Sequence, residues 1–201
     1  MTTTKLVKRL FACSAVAAAL LTTTGQADVP RLDRVRVVET PRAIADAALI
    51  NEEAQPIRLQ ELRGKVAFVL FGFTNCADVC PLAMERLAQL HDSGSLSSAD
   101  VSYVMISVDG ERDTPAAMKA FLSRYPEEFV GLTATPNRVT PIAEQFSAAF
   151  FKGAHSAHGE YDVAHSPQIF VLDAAGNLRA ELFGASIESM TAVALALLGE
   201  R

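Results

Sequence analysis

Two apolar runs organise the chain. Val66 to Phe73 (VAFVLFGF) and Val101 to Val108 (VSYVMISV) are nearly continuous in hydrophobic residues. That is the pattern of strands buried on both faces, not the alternation of a strand with one wet side. After the first run a helical pattern starts at Pro81, with Leu82, Leu87 and Leu90 assigned to one face, until Ser93-Gly94-Ser95 stops it. After the second run, Asp113-Thr114-Pro115 opens another helix, since a side-chain oxygen can cap free amides and proline suits the first helical position. Met118, Phe121 and Leu122 carry that helix to about Arg124. A strand, a helix and a strand at this spacing predict a right-handed parallel crossover.

The second half has another rhythm. Thr135 to Phe146 reads as a helix with Pro136 and Pro141 near its start, and Ser147 to Glu160, with Gly153, Gly159, His155 and His158, reads as an exposed loop. Gln168 to Leu172 and Leu178 to Phe183 form a hairpin around Asp173-Ala-Ala-Gly-Asn177, and Ser186 caps a closing helix that runs to Leu198. Ile57 to Leu62 alternates weakly. Residues 28–50 contain Pro30, Pro41 and scattered charges without a period, so 28–45 is assigned to a tether and 46–201 to the folded domain. The resulting order is β-α-β-α, then a hairpin and a helix. It predicts an α/β fold: a thioredoxin-like mixed β-sheet flanked by helices, with an N-terminal extension. Sites in such sheets lie beyond the carboxyl ends of the strands, where the first strand meets its helix.

The leading residues follow a different logic. Lys5, Lys8 and Arg9 precede a short apolar stretch from Leu10 to Leu21, and Gly25-Gln26-Ala27 supplies small residues for cleavage. Residues 1–27 therefore read as a secretory signal peptide, with an uncleaved membrane anchor as the alternative. The apolar stretch falls short of the ~20 residues a spanning helix needs. Loss of this segment removes three positive charges and no acid, taking the formal net charge from −5 to −8. With that acidic balance and no basic patch, nucleic acid is not an expected partner. Cys13 leaves with the signal, so an exported chain keeps two cysteines, Cys76 and Cys80.

Paired cysteines in an exported protein usually form a structural disulfide. Here they stand in Cys76-Ala-Asp-Val-Cys80, and so small a loop contributes little in the chain-entropy account. Thioredoxin-type exchange uses a gap of two residues, whereas this gap is three. Pro81 disfavours the α conformation at Cys80, which predicts a loop feeding the helix, with both sulfurs on one side. Helix amides favour thiolates, and two thiolates suit Cu(I) or Zn(II), copper being preferred on affinity and softness. Among the histidines, His91 reads as a surface or packing residue and His155 and His158 as a solvated pair. His165 precedes the Pro167-Gln-Ile-Phe-Val-Leu-Asp173 strand, a segment that faces the cysteine turn in a thioredoxin-like fold. It is either a turn histidine or a third ligand. Pro167 stands where that fold commonly has a cis proline, so Ser166–Pro167 is expected to be cis. Asp109 and Asp113 read as strand-end and helix-cap residues.

Phe71-Gly-Phe-Thr-Asn-Cys-Ala-Asp-Val-Cys-Pro81 resembles the signature of the SCO/SenC family, copper chaperones for the CuA centre of cytochrome c oxidase. Ser107-Val-Asp109 with Arg112-Asp-Thr-Pro115, Phe129-Val-Gly-Leu-Thr133 and Tyr161-Asp-Val-Ala-His-Ser166 agree in order, over roughly residues 45–200. The resemblance implies Cys76, Cys80 and His165 as copper ligands, for Cu(I) or Cu(II). It also implies an exported, periplasmic location with or without a membrane tether. Ala77 replaces the family's usual proline, and Ala164 its usual acid before the histidine.

Two functions follow. One is a metallochaperone that receives copper from an upstream donor and passes it to the copper-bearing oxidase subunit or another cuproprotein. The other is a thiol-disulfide reductase, with Cys76 and Cys80 as catalytic thiols, that keeps the acceptor's copper-binding cysteines reduced. Peroxide chemistry on Cys76 is a weaker third reading.

Overall fold

The computed structural model describes residues 32–154 and 161–200. Residues 1–27, read above as a signal peptide, lie outside the described residues, as do His155 and His158. Among those described, no helix is long and apolar enough to cross a membrane.

Strand β4 (Val66–Gly72) lies inside the main sheet, with β5 (Val101–Ser107) parallel on one side. Every residue of β4 is buried. Val66, Phe68 and Leu70 enter one hydrophobic cluster, while Ala67, Val69 and Phe71 enter the other. This double burial is why the run is continuous in sequence. Helices α1 (Val79–Asp92), α2 (Pro115–Leu122) and α4 (Ile187–Leu198) pack on the first face. Helix α3 (Pro136–Gln145) packs on the second. The hairpin of β9 (Ile169–Leu172) and β10 (Asn177–Leu182) joins antiparallel to β4. Helices therefore cover both faces of a mixed sheet, the thioredoxin-like arrangement.

Several boundaries differ from the expectations. Residues 35–43, assigned to the tether, form β1 (Val35–Ala43), which pairs antiparallel with β10 at the sheet edge. Most of β1 is exposed, so no burial pattern marks it, and Pro41 is tolerated because the strand is at the edge. Strand β6 (Phe129–Thr133) continues the parallel set beyond β5, although Gly131 interrupts its short apolar pattern. Strands β2 (Ala48–Asn51) and β3 (Pro56–Arg58) complete an eight-stranded sheet in the order β1-β10-β9-β4-β5-β6-β2-β3. The expected loop 147–160 contains β7 (Phe150–Lys152), which pairs with β8 (Val163–His165) in a separate two-stranded sheet.

Local chemistry explains the remaining differences. Cys80 belongs to the first turn of α1, not to a preceding loop. Pro81 is accommodated there because amide protons in a first turn have no partner inside the helix. Leu82 is 60% exposed, while Leu87 and Leu90 are fully buried. Leu87 stands five positions after Leu82, placing them about 140° apart around a helix of 3.6 residues per turn. Thr114 caps α2, its side chain accepting from the Ala117 amide, and leaves Asp113 free to turn inward. The Ser166–Pro167 peptide is trans, the ordinary isomer.

Candidate metal centre

The main sheet delivers the cysteines. Strand β4 ends at Gly72, and the chain turns through Phe73 to Asp78 before α1 begins. The Cys76 amide donates to the Phe73 carbonyl at 3.2 Å, closing that turn. The Cys80 amide donates to Cys76 Sγ at 3.4 Å, so the first sulfur lies over the start of the helix, where amides point outward. Gly72 allows the second sulfur to approach: a β-carbon there would stand 3.0 Å from Cys80 Sγ.

The small sheet delivers the histidine. His165 ends β8, opposite Phe150 of β7. The next residue is held on both sides, with the Ser166 amide donating to the Ala149 carbonyl and Ser166 Oγ accepting from the Ala149 amide, each at 2.9 Å. His165 Nδ1 lies 3.1 Å from the Ser166 carbonyl, which can only accept, so Nδ1 carries the proton and Nε2 presents a lone pair. That Nε2 is 3.1 Å from Cys80 Sγ and 3.8 Å from Cys76 Sγ. Phe73 packs edge-on against the imidazole, with centroids 5.7 Å apart.

Donor atoms of Cys76, Cys80 and His165 all lie within 4.8 Å of one another, and no other such group of three occurs among the described residues. Both cysteines are free thiols. Two soft sulfurs and an imidazole with its tautomer set by a main-chain carbonyl are a donor set for a thiophilic cation. The Ser166 carbonyl supplies the histidine's outer partner, so the family's acid at position 164 is not needed for that task. His91 packs its ring against Tyr103 and Phe129, with Nε2 3.3 Å from Glu128, the packing alternative of the two roles expected for it.

The SCO1/SenC family model matches residues 38–195. The chain belongs to the SCO1/SenC family. Among its relatives, a protein of Stutzerimonas stutzeri described as a putative copper-binding protein is 30% identical over 154 residues, covering 75% of each chain. A SCO2-like protein of Rickettsia conorii is 28% identical over 133 residues, which span 65% of this chain and 64% of the relative. The crystal structure of Arabidopsis thaliana ScoI with copper bound superposes with a TM-score of 0.71 at 26% identity, covering 79% of this chain and all of the other.

Electrostatics set the protonation of this SCO1/SenC site. Burial, followed by the hydrogen-bonded Cys76 sulfur, pushes the Cys80 thiol far above the ordinary cysteine range, and the Asp113 charge adds to the effect. Burial also holds His165 below the usual histidine value, against the opposing pull of its main-chain hydrogen bonds. At neutral pH Cys80 thus keeps its proton while Nε2 is free. An incoming cation must expel the Cys80 proton, so binding at neutral pH is expected to release at least one proton per ion. Affinity is expected to rise with pH, and acid below the lowered His165 range to favour release by protonating Nε2. Calorimetric titration in two buffers of different ionisation enthalpy measures the proton count, and a count of zero would contradict this electrostatic picture.

Proposed function

We propose that this SCO1/SenC protein carries copper on Cys76 Sγ, Cys80 Sγ and His165 Nε2 and delivers it to an acceptor, with copper as cargo and not as a resident catalyst. The observation that carries the reading is the convergence of both sulfurs on one imidazole nitrogen, His165 Nε2. Cys76 and His165 are only half-buried, so an incoming thiolate can reach an ion of incomplete coordination and exchange ligands. The family and the copper-binding relatives support the CuA centre of cytochrome c oxidase, or a similar cuproprotein, as the acceptor. The leading segment supports work in a periplasmic or other exported compartment, tethered or free, with a separate donor upstream.

Anaerobic titration of residues 28–201 tests the reading, with a competing chelator and with Cys76→Ser and Cys80→Ser alongside. One copper per chain and loss of the tight site in each serine variant are expected, followed by transfer to a metal-free acceptor fragment. A wild-type protein that binds no copper but reduces an oxidised oxidase fragment would identify a thiol-disulfide reductase instead.

A further inference from the structure

The donors arrive on two segments far apart in sequence, the turn after β4 and the strand β8. Both are gripped by a third, the β5–α2 turn from Val108 to Thr114, which supplies no donor atom. Asp113 is fully buried. Its Oδ1 accepts from Thr74 Oγ1 at 2.6 Å, and its Oδ2 accepts from the Thr74 amide at 3.0 Å and Ser107 Oγ at 2.6 Å. Thr74 stands two residues before Cys76. From the same turn, buried Asp109 accepts from the Tyr161 hydroxyl and from Arg112 Nε. Arg112 donates to the Tyr161 carbonyl at 3.0 Å and lays its guanidinium 3.8 Å from the centre of the Tyr161 ring. Tyr161 leads into β8, which ends at His165. The Ser107 hydroxyl joins the halves, donating to Asp113 and accepting from the Asp109 amide at 3.0 Å.

The turn itself is fixed in place. A β-carbon on Gly110 would stand 1.8 Å from the Ala134 carbonyl oxygen, so only glycine lets the turn sit against the chain leaving β6. The Asp113 carbonyl accepts from Thr133 Oγ1 at 2.7 Å, anchoring the turn to β6. A buried carboxylate that accepts three hydrogen bonds is held in one orientation, because any other leaves donors unpaired in a medium of low dielectric.

We infer that Asp113, and the Asp109–Arg112–Tyr161 group beside it, are positioning residues. One carboxylate of the turn holds the cysteine segment and the other holds the histidine strand. Together they set the spacing between the sulfurs and Nε2 before an ion arrives. The inference rests on Cys76, Cys80 and His165 being the copper ligands. It adds a rigid outer frame, the kind of support whose loss costs about ten- to hundredfold in metal affinity.

The test uses the full chain with Asp113→Ala, Asp113→Asn and Tyr161→Phe. Copper affinity and the position of the thiolate-to-Cu(II) charge-transfer band are read on the loaded protein. Exchange of the Thr74 amide and the alkylation rate of Cys76 are read on the metal-free protein, under conditions where denaturant curves show each variant folded. Asp113→Ala is expected to weaken copper about ten- to hundredfold, shift the band and speed both metal-free rates. Asp113→Asn removes the charge, but its one oxygen can still accept from the Thr74 amide and the Ser107 hydroxyl while its NH2 donates to Thr74 Oγ1, and it is expected to recover most of each effect. Tyr161→Phe is expected to shift the band while leaving Thr74 exchange unchanged. If Asp113→Ala does not fold, Thr74→Val removes the hydroxyl's hydrogen bond to Asp113 while the main-chain amide bond stays, and is expected to move copper affinity, the band and Cys76 alkylation in the same direction by a smaller amount.

A folded Asp113→Ala with wild-type affinity, band and metal-free rates would overturn the inference. So would Asp113→Asn as damaging as alanine, since charge and not geometry would then be at work. If wild type itself binds no copper, the ligand reading fails separately, and the metal-free rates still decide whether the turn orders the cysteine segment.

Discussion

His165→Ala is expected to weaken Cu(II) binding by more than about a hundredfold, beyond the range seen when only an outer partner is lost. A hundredfold corresponds to about 2.7 kcal/mol. The imidazole presents Nε2 to both sulfurs, at 3.1 Å and 3.8 Å, and its other nitrogen is committed to the Ser166 carbonyl. Alanine removes one donor of three without disturbing the strand pairing that carries it, because His165 meets Phe150 through the main chain. The cysteine pair is untouched, so oxidation should still close a Cys76–Cys80 disulfide in the variant. Affinity measured against a competing chelator, together with a thiol count before and after oxidation, checks both halves. Undiminished affinity would remove His165 from the site. Loss of disulfide formation as well would mean that the substitution had damaged more than a ligand.

Phe71→Ala is expected to destabilise the fold by about 3–5 kcal/mol, the usual cost of emptying a buried phenylalanine site. Phe71 of β4, Phe146 at the end of α3 and Phe170 of β9 form a closed set of edge-to-face rings, with centroids 5.2, 5.8 and 5.4 Å apart. All three are buried, and they belong to three different elements. Removing the Phe71 ring deletes two of the three edge-to-face contacts and leaves Phe146 and Phe170 with only each other, in addition to the lost burial. Set against a typical total of about 5–15 kcal/mol, this is a large fraction. Urea unfolding should show a lower midpoint with an unchanged slope, since the surface exposed on unfolding barely alters. Phe71→Leu should lose much less. An alanine variant within about 1 kcal/mol of wild type would show that the set relaxes around the cavity.

What could be read from the sequence follows from the range of the interactions involved. The strands β4 and β5, the β9–β10 hairpin and the Ser186 cap of α4 depend on neighbours within a few positions, so local patterns announced them. Strands β1 and β6 depend on partners elsewhere: β1 is exposed and defined by pairing with β10, and β6 is short and broken by Gly131. The donors were legible because an unusual cysteine gap and a histidine before a strand are local signals. Their frame was not. Asp113 meets Thr74 across 39 positions and Arg112 meets Tyr161 across 49. At the start of α2 either Asp113 or Thr114 could have capped the helix by local rules. The structure gives the task to Thr114, and the acid thereby becomes available for the cysteine segment. Gly72 carried one usable clue, a glycine closing an otherwise bulky apolar run just before the cysteine turn.

The two-faced burial of β4 has a further bearing on how the molecule comes apart. Alternate side chains of that strand belong to different clusters, so neither cluster can loosen without exposing a residue that the other also needs held in place. Across the described residues, the two layers are therefore expected to open together. Amides of β4 should exchange with solvent only through the global opening, and with the same free energy from Ala67 to Phe71. The cysteine turn hangs from the end of this strand, so its anchor is the last part of the chain to give way.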